Sequence, residues 1–341
     1  MMSKRRSIVV ACLLASVSLG FARDIIVPAN AGFAEVRAAI DEARDGDTIV
    51  FEGSSYGPFQ DSLAVSNKRL SFVSQSGRTS IVNAGRGPVL RVQNHSDFSC
   101  RDISFEYDSR GTSRNTDVVE IHDSFVSIDN CRFSGGVEDP IAKPPRGSGL
   151  LLSGATNGAI VESEFTNNEQ NGLRIGGGSS VNVMRNIITN NGHDGILVLT
   201  AAEPLLEGNK VTANREDGIG YIESAGGLAR DNIVDGNADD GFDISDYATP
   251  TIENNTVYLN GDDGFEVSVF ATPTLRGNMV RDNSDVAFSY EYLAGGFIEF
   301  NQCENNNGER FRGTDGDVIL VPMIMDTIHI DANDGCSISP Y

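Results

Sequence analysis

Asn237-Ala238-Asp239-Asp240-Gly241-Phe242-Asp243-Ile244 is followed, 23 residues on, by Asn260-Gly261-Asp262-Asp263-Gly264-Phe265-Glu266-Val267. The same beat runs backwards through Asp217-Gly218-Ile219-Gly220-Tyr221, Asp194-Gly195-Ile196-Leu197-Val198 and Asn171-Gly172-Leu173-Arg174-Ile175. Two asparagine columns keep step with it. One is Asn186, Asn209, Asn232, Asn255, Asn278 and Asn301; the other is Asn168, Asn191, Asn214, Asn237, Asn260, Asn283 and Asn306. A fixed period of this length marks a stacked solenoid, because one repeat cannot bury its apolar face alone.

Apolar residues fall into columns at the same period. Leu150, Leu173, Ile196, Ile219, Phe242 and Phe265 form one, and Leu152, Ile175, Val198, Tyr221, Ile244 and Val267 the next. Short strands with Gly and Asn at the bends predict an all-β fold, a parallel β-helix; leucine-rich and WD signatures are absent. Stacked asparagines are expected to bond to one another and to backbone along the stack. Outward positions between the apolar columns read Arg91, Glu120, Leu151, Arg174, Leu197, Gly220, Asp243, Glu266, Phe288, and then Gln93, His122, Ser153, Gly176, Leu199, Ile222, Ser245, Ser268, Tyr290. Two insertions, 106–116 and 134–147, leave at the same bend and should rise beside one strand face.

Residues 1–22 read as a signal peptide: Lys4, Arg5 and Arg6, an apolar stretch, and a small-residue cleavage site at Ala22. A secreted or periplasmic protein is expected. A lead-in strand and cap helix are expected over 23–46, the β-helix over 47–310, and a C-terminal cap or tail over 311–341. No later stretch approaches the ~20 apolar residues of a membrane span. The formal charge is −22, and removing three leader cations takes it to −25. Nucleic acid is therefore a poor partner, and acidic polysaccharides would be repelled unless divalent cations intervene. Salt adaptation is another reading of the same charge. Cys100, Cys131 and Cys303 sit at inward positions, and a Cys303–Cys336 bond is one option at the C-terminal end.

With the repeats in view, the chain resembles secreted right-handed parallel β-helix proteins, the group of NosD-like repeats, pectin-active enzymes and mannuronan epimerases. The resemblance spans nearly all of residues 24 to 310 and implies fold more than activity. Asp240-Gly241-Phe242-Asp243-Ile244-Ser245 keeps Gly-Phe-Asp of the epimerase run Tyr-Gly-Phe-Asp-Pro-His but not its tyrosine or histidine. Asp239-Asp240 and Asp262-Asp263 resemble the acidic strings of polygalacturonases, whose later Gly-His-Gly and Arg-Ile-Lys motifs are missing. The group implies a protein that binds or degrades an extracellular polysaccharide, lyase-like or hydrolase-like. A non-catalytic surface or calcium-binding protein is the alternative.

Two places offer chemistry. Asp239, Asp240, Asp262 and Asp263 are candidate Ca²⁺ ligands, and Asp243 with Glu266 a candidate catalytic pair. Carboxylates ~5 Å apart raise one another's pKa unless a cation intervenes, and that spacing suits a retaining glycosidase. Tyr247, Phe270 and Tyr292 would supply a sugar-stacking strip. Against this, Asp-Gly is ordinary turn chemistry. On earlier coils, His122, the one histidine expected on an outward strand face, and Glu120, flanked by Arg91 and Arg174 and with Lys143 and Arg146 on an inserted loop, offer a base and cations for β-elimination or epimerisation.

Overall fold

A computed structural model describes residues 22–306, 318–320, 328–336 and 338–340. The expected leader thus lies almost entirely outside the described residues. The chain winds as an all-parallel β-solenoid of about 12 turns, ~23 residues each, with 3% helix. Each coil passes through three sheets in turn, for example Leu150–Ser153, Asn157–Val161 and Glu164–Thr166. Sheet I has 12 strands among the described residues, from Leu63–Ser66 to Ile338–Pro340. Sheet II has 13, from Asp24–Val27 to Ile328–Asp331, and sheet III has 11, from Ser55–Phe59 to Gln302–Glu304.

The corners explain the asparagines. The residue before each ladder asparagine is left-handed: Arg185, Gly208, Asp231, Asn254, Gly277 and Phe300 on one edge, Asn167, Asn190, Ala213, Gly236, Leu259, Asp282 and Asn305 on the other. One left-handed residue turns the chain sharply, and the asparagine that follows is carried inward. Each buried amide then serves two coils. Asn232 Nδ2 donates to Leu206 O at 2.9 Å and to Asn255 Oδ1 at 2.9 Å, and its own Oδ1 accepts from Asn209 N at 2.9 Å. The ladder runs from Ser163, whose N–H reaches Asn186 Oδ1 at 2.8 Å, to Asn333, which accepts from Asn301. A corner that would otherwise bury unpaired backbone groups is satisfied throughout.

The core is the stacked apolar columns, in which Phe105, Phe133 and Phe165 lie with centroids 5.5 and 4.9 Å apart. At the N-terminal end the helix Phe33–Glu42 buries Val36, Ala39 and Ile40, closing an end that would expose core and strand edge. Cys303 and Cys336 form a disulfide with Cα atoms 4.9 Å apart. Cys100 and Cys131 are buried thiols.

Three expectations need correction. Phe288 and Tyr290 point inward: they pair in register with Phe265 and Val267, and Phe288 continues the ring stack at 5.0 Å. Ser289 takes the outward place beside Glu266. On this coil Val286-Ala287 replaces Asp-Gly, so the glycine that marks register elsewhere is missing. Tyr292 consequently aligns with Val269, not Phe270, since Tyr247 N donates to Val269 O and Phe270 N to Tyr292 O. Finally, His122 is not alone on an outward strand face: His329 stacks on Phe297 at 5.0 Å. Sheets I and II also continue past Asn306 through Val318–Leu320, Ile328–Asp331 and Ile338–Pro340.

Candidate functional site

The outer face of sheet I carries both candidate constellations, held by one register. Arg91 pairs with Glu120, Glu120 with Leu151, and so on to Asp243 with Glu266. The inserted loops rise beside its N-terminal half, bridged antiparallel by Thr116 and Val137. There Glu120 is clasped by two guanidiniums, Arg91 at 3.0 Å and Arg146 of the second loop. Arg146 also lies 3.8 Å from Asp117, whose Oδ1 accepts from Gly147 N and Ser148 N at 2.9 and 2.8 Å. Burial pushes the Asp117 carboxyl up. Arg174 turns to the Pro145 carbonyl at 3.2 Å, and Lys143 is exposed on the loop. Arg91, Glu120 and Arg174 therefore stand together, but as the anchor of the loops. Both ring nitrogens of His122 are engaged elsewhere, by Ser153 at 3.0 Å and Asp123 at 2.9 Å.

The C-terminal half is a trough of carboxyls. Asp194, Asp217, Asp240 and Asp263 recur at one position per coil, and the last three accept backbone N–H groups from the following coil. Asp240 N donates to Asp217 Oδ1 at 3.0 Å, Asp263 N to Asp240 Oδ1 at 2.8 Å, and Val286 N to Asp263 Oδ1 at 2.9 Å. Asn171 heads the column, accepting from Asp194 N at 3.1 Å. Among the described residues no Lys, Arg or His nitrogen lies within 4.0 Å of Asp240, Asp243, Asp263 or Glu266. Burial, reinforced by neighbouring carboxylates, lifts Asp217 to about 9, and Asp194 and Asp243 to about 7. Burial likewise raises Asp263 to about 8, and Asp240 and Glu266 upward. A hydrogen bond with Asp240 works the other way on Glu266. Asp239, Asp240 and Asp262 each place an oxygen within 4.8 Å of the others, as do Asp262, Asp263 and Asp285.

Beside the trough the exposed rings of Tyr247 and Phe270 stack at 5.2 Å and 4°. Leu293, not Tyr292, continues that column. Sequence reasoning passed over Asp194 and Asp217, although both carry the same Asp-Gly signal as Asp240 and Asp263; read as turns, they hid a buried column. It also passed over Asp117 and Asp123, and it placed Ser153 beside His122 without giving it a role.

A model of the right-handed beta helix region matches residues 76–225 and 148–307, well over half of the chain. The chain belongs to the right-handed β-helix family. No curated protein sequence matches it. Among solved structures it is similar to the Dettilon tailspike protein, at 13% identity and TM-score 0.73, over 92% of this chain and 68% of that one. It is also similar to the A-module of a mannuronan C-5 epimerase from Azotobacter vinelandii, at 15% identity and TM-score 0.63, over 90% and 91% of the two chains. A periplasmic alginate epimerase follows at 12% identity and TM-score 0.55, over 86% and 76%. At these identities the likeness is one of fold.

Proposed function

We propose that this β-helix protein is exported, takes an extracellular polysaccharide along the outer face of sheet I, and hydrolyses it between Asp243 and Glu266. The observation that carries this reading is the register of those two carboxyls on adjacent coils, about one strand spacing (~4.8 Å) apart. That separation is near the ~5–5.5 Å of a retaining pair. Asp243, lifted to about 7 chiefly by burial, is protonated in a substantial share of molecules at neutral pH and can give that proton to the leaving oxygen. Glu266, which burial raises while its bond with Asp240 works the other way, is the nucleophile. Tyr247 and Phe270 offer a flat platform for a sugar ring. The acidic trough favours a neutral glycan over a uronate.

A panel of polysaccharides tests this. Reducing ends should appear without ultraviolet-absorbing unsaturated products, and Asp243→Asn or Glu266→Gln should each lower turnover by about 10³-fold, in the range of lost acid or nucleophile. Unsaturated products, or unchanged rates in both variants, overturn it.

The oxygen clusters of Asp239, Asp240, Asp262, Asp263 and Asp285 favour a second reading, a divalent cation such as Ca²⁺ held in the trough of a binding protein. Calcium should then raise the unfolding temperature more than sodium at matched ionic strength, and Asp240→Asn with Asp263→Asn should remove the difference. Equal shifts from both salts dismiss the site and leave screening of the net charge.

A further inference from the structure

A second constellation on sheet I lies outside the trough and the loop anchor. His122 ends the strand Val119–His122, and Ser153 is its register partner on the next coil. The imidazole Nδ1 lies 3.0 Å from Ser153 Oγ, and Nε2 lies 2.9 Å from Asp123 Oδ2. Asp123 is itself fixed, its Oδ1 accepting from Ala155 N at 2.8 Å, a bond that holds its carboxyl below the usual range. A carboxylate has only acceptors, so Nε2 carries the ring proton. Nδ1 is left with a lone pair aimed at the serine hydroxyl.

Glycines shape the surroundings. A Cβ on Gly154 would lie 2.2 Å from Asp123 Oδ1 and 2.9 Å from His122 Cε1, so glycine there lets the pair seat. On the next coil Gly176-Gly177-Gly178 leaves a bare shelf beside Ser153. A Cβ on Gly177 would lie 2.7 Å from the Gly154 nitrogen, so glycine keeps that N–H uncovered. The N–H groups of Gly154, Gly177 and Gly178 donate to no backbone acceptor among the described residues. An N–H that directly follows a nucleophilic serine is a natural donor to a developing oxyanion.

We propose that Ser153, His122 and Asp123 form an esterase site that removes acyl groups, such as acetyl, from sugar hydroxyls. Ser153 Oγ attacks the ester carbonyl carbon as His122 Nδ1 takes its proton. The carbonyl oxygen becomes an oxyanion facing the Gly154 N–H. Collapse breaks the bond to the sugar oxygen, which receives the proton from Nδ1 and leaves as alcohol. Water then attacks the acyl-serine, giving its proton to Nδ1. The bond to Oγ breaks, Oγ recovers the proton, and the carboxylic acid departs. No redox step is involved. Asp123 positions the ring and stabilises its cation. The site lies four coils, roughly 19 Å, from Asp243 on the same face. It stands independently of backbone cleavage there.

The test is ester turnover on p-nitrophenyl acetate together with labelling by a fluorophosphonate. Wild type should take one label on the peptide containing Ser153. Ser153→Ala and His122→Ala should cut turnover at least ~10²-fold with unchanged far-ultraviolet circular dichroism. Asp123→Asn should lower kcat while leaving KM for the ester within about twofold, because the ring loses the carboxylate that fixes its tautomer and orientation. His95→Gln, at the neighbouring histidine that also lies in the field of Asp123, should leave both unchanged. Absence of a Ser153 adduct on the folded wild type, or full turnover in Ser153→Ala, overturns the proposal. Neither result depends on whether the protein cleaves a glycan backbone.

Discussion

The triple variant Asp217→Asn, Asp240→Asn, Asp263→Asn should unfold at a higher temperature than wild type at pH 9, by about 5–10 °C in the presence of a chelator. The sign follows from the direction in which the fold moves these carboxyls. They are raised, Asp217 to about 9, Asp263 to about 8 and Asp240 upward, above an ordinary value near 3.8. Below pH ~4 folded and unfolded chains are both protonated, and the full stability is present. As pH rises the unfolded chain ionises first, so stability is lost progressively through the folded values. A carboxyl that holds its proton one pH unit higher in the fold than in the unfolded chain gives up about 1.4 kcal/mol once both are ionised. Amides escape this loss while still accepting the backbone N–H of the next coil, as Asn171 does at the head of the same column. Below pH 4 the gap should close. A control replacing the exposed Asp24, Asp61 and Asp97 by Asn removes as many carboxyls from the chain and should move the melting temperature far less. Equal melting of triple variant and wild type at pH 9 would mean that the buried column ionises without cost.

The period made most of the fold legible. A ladder residue declares itself because it recurs at a fixed spacing, and Asn186 to Asn301 could be lined up before any strand was known. Register failed where the marker changed: with Val286-Ala287 in place of Asp-Gly, Phe288 slipped by one position in the sequence reading and took Tyr290 with it. The chemistry was less legible for a different reason. Spacing along the chain locates a column but not the rotamers within it, and Glu120 proved to be held by Arg146 from an inserted loop that follows no period. His122 and Ser153 stood in one outward column, yet nothing in the spacing said that Asp123 would bend back to the ring. Asp194 and Asp217 were left out of the acidic site because Asp-Gly has a sufficient local explanation as a turn, and only burial distinguishes a turn carboxyl from a titrating one.

Asn232→Ala should destabilise the protein by about 3–5 kcal/mol, far more than an exposed substitution. The side chain contributes little apolar area, so the loss is one of hydrogen bonds left unmade. Removing the amide strands Asn209 N and an Nδ2 hydrogen of Asn209, which donate to Asn232 Oδ1 at 2.9 and 3.0 Å, and takes the Nδ2 donor from the Leu206 carbonyl and from Asn255 Oδ1, the latter keeping only the backbone N–H of residue 232 at 2.9 Å. All lie in a corner that is buried among the described residues and closed to water. A solenoid couples each coil only to its neighbours, so a defect at mid-stack weakens the joint between two halves. Amide exchange should rise on both sides of Asn232. Asn301→Ala loses bonds of the same kind near the C-terminal end and should speed exchange only in the adjoining coils. Denaturant unfolding measures the cost, and a value for Asn232→Ala within about 1 kcal/mol of wild type would show that the corner relaxes or admits water. In that case the ladder would direct how the coils stack without holding them together.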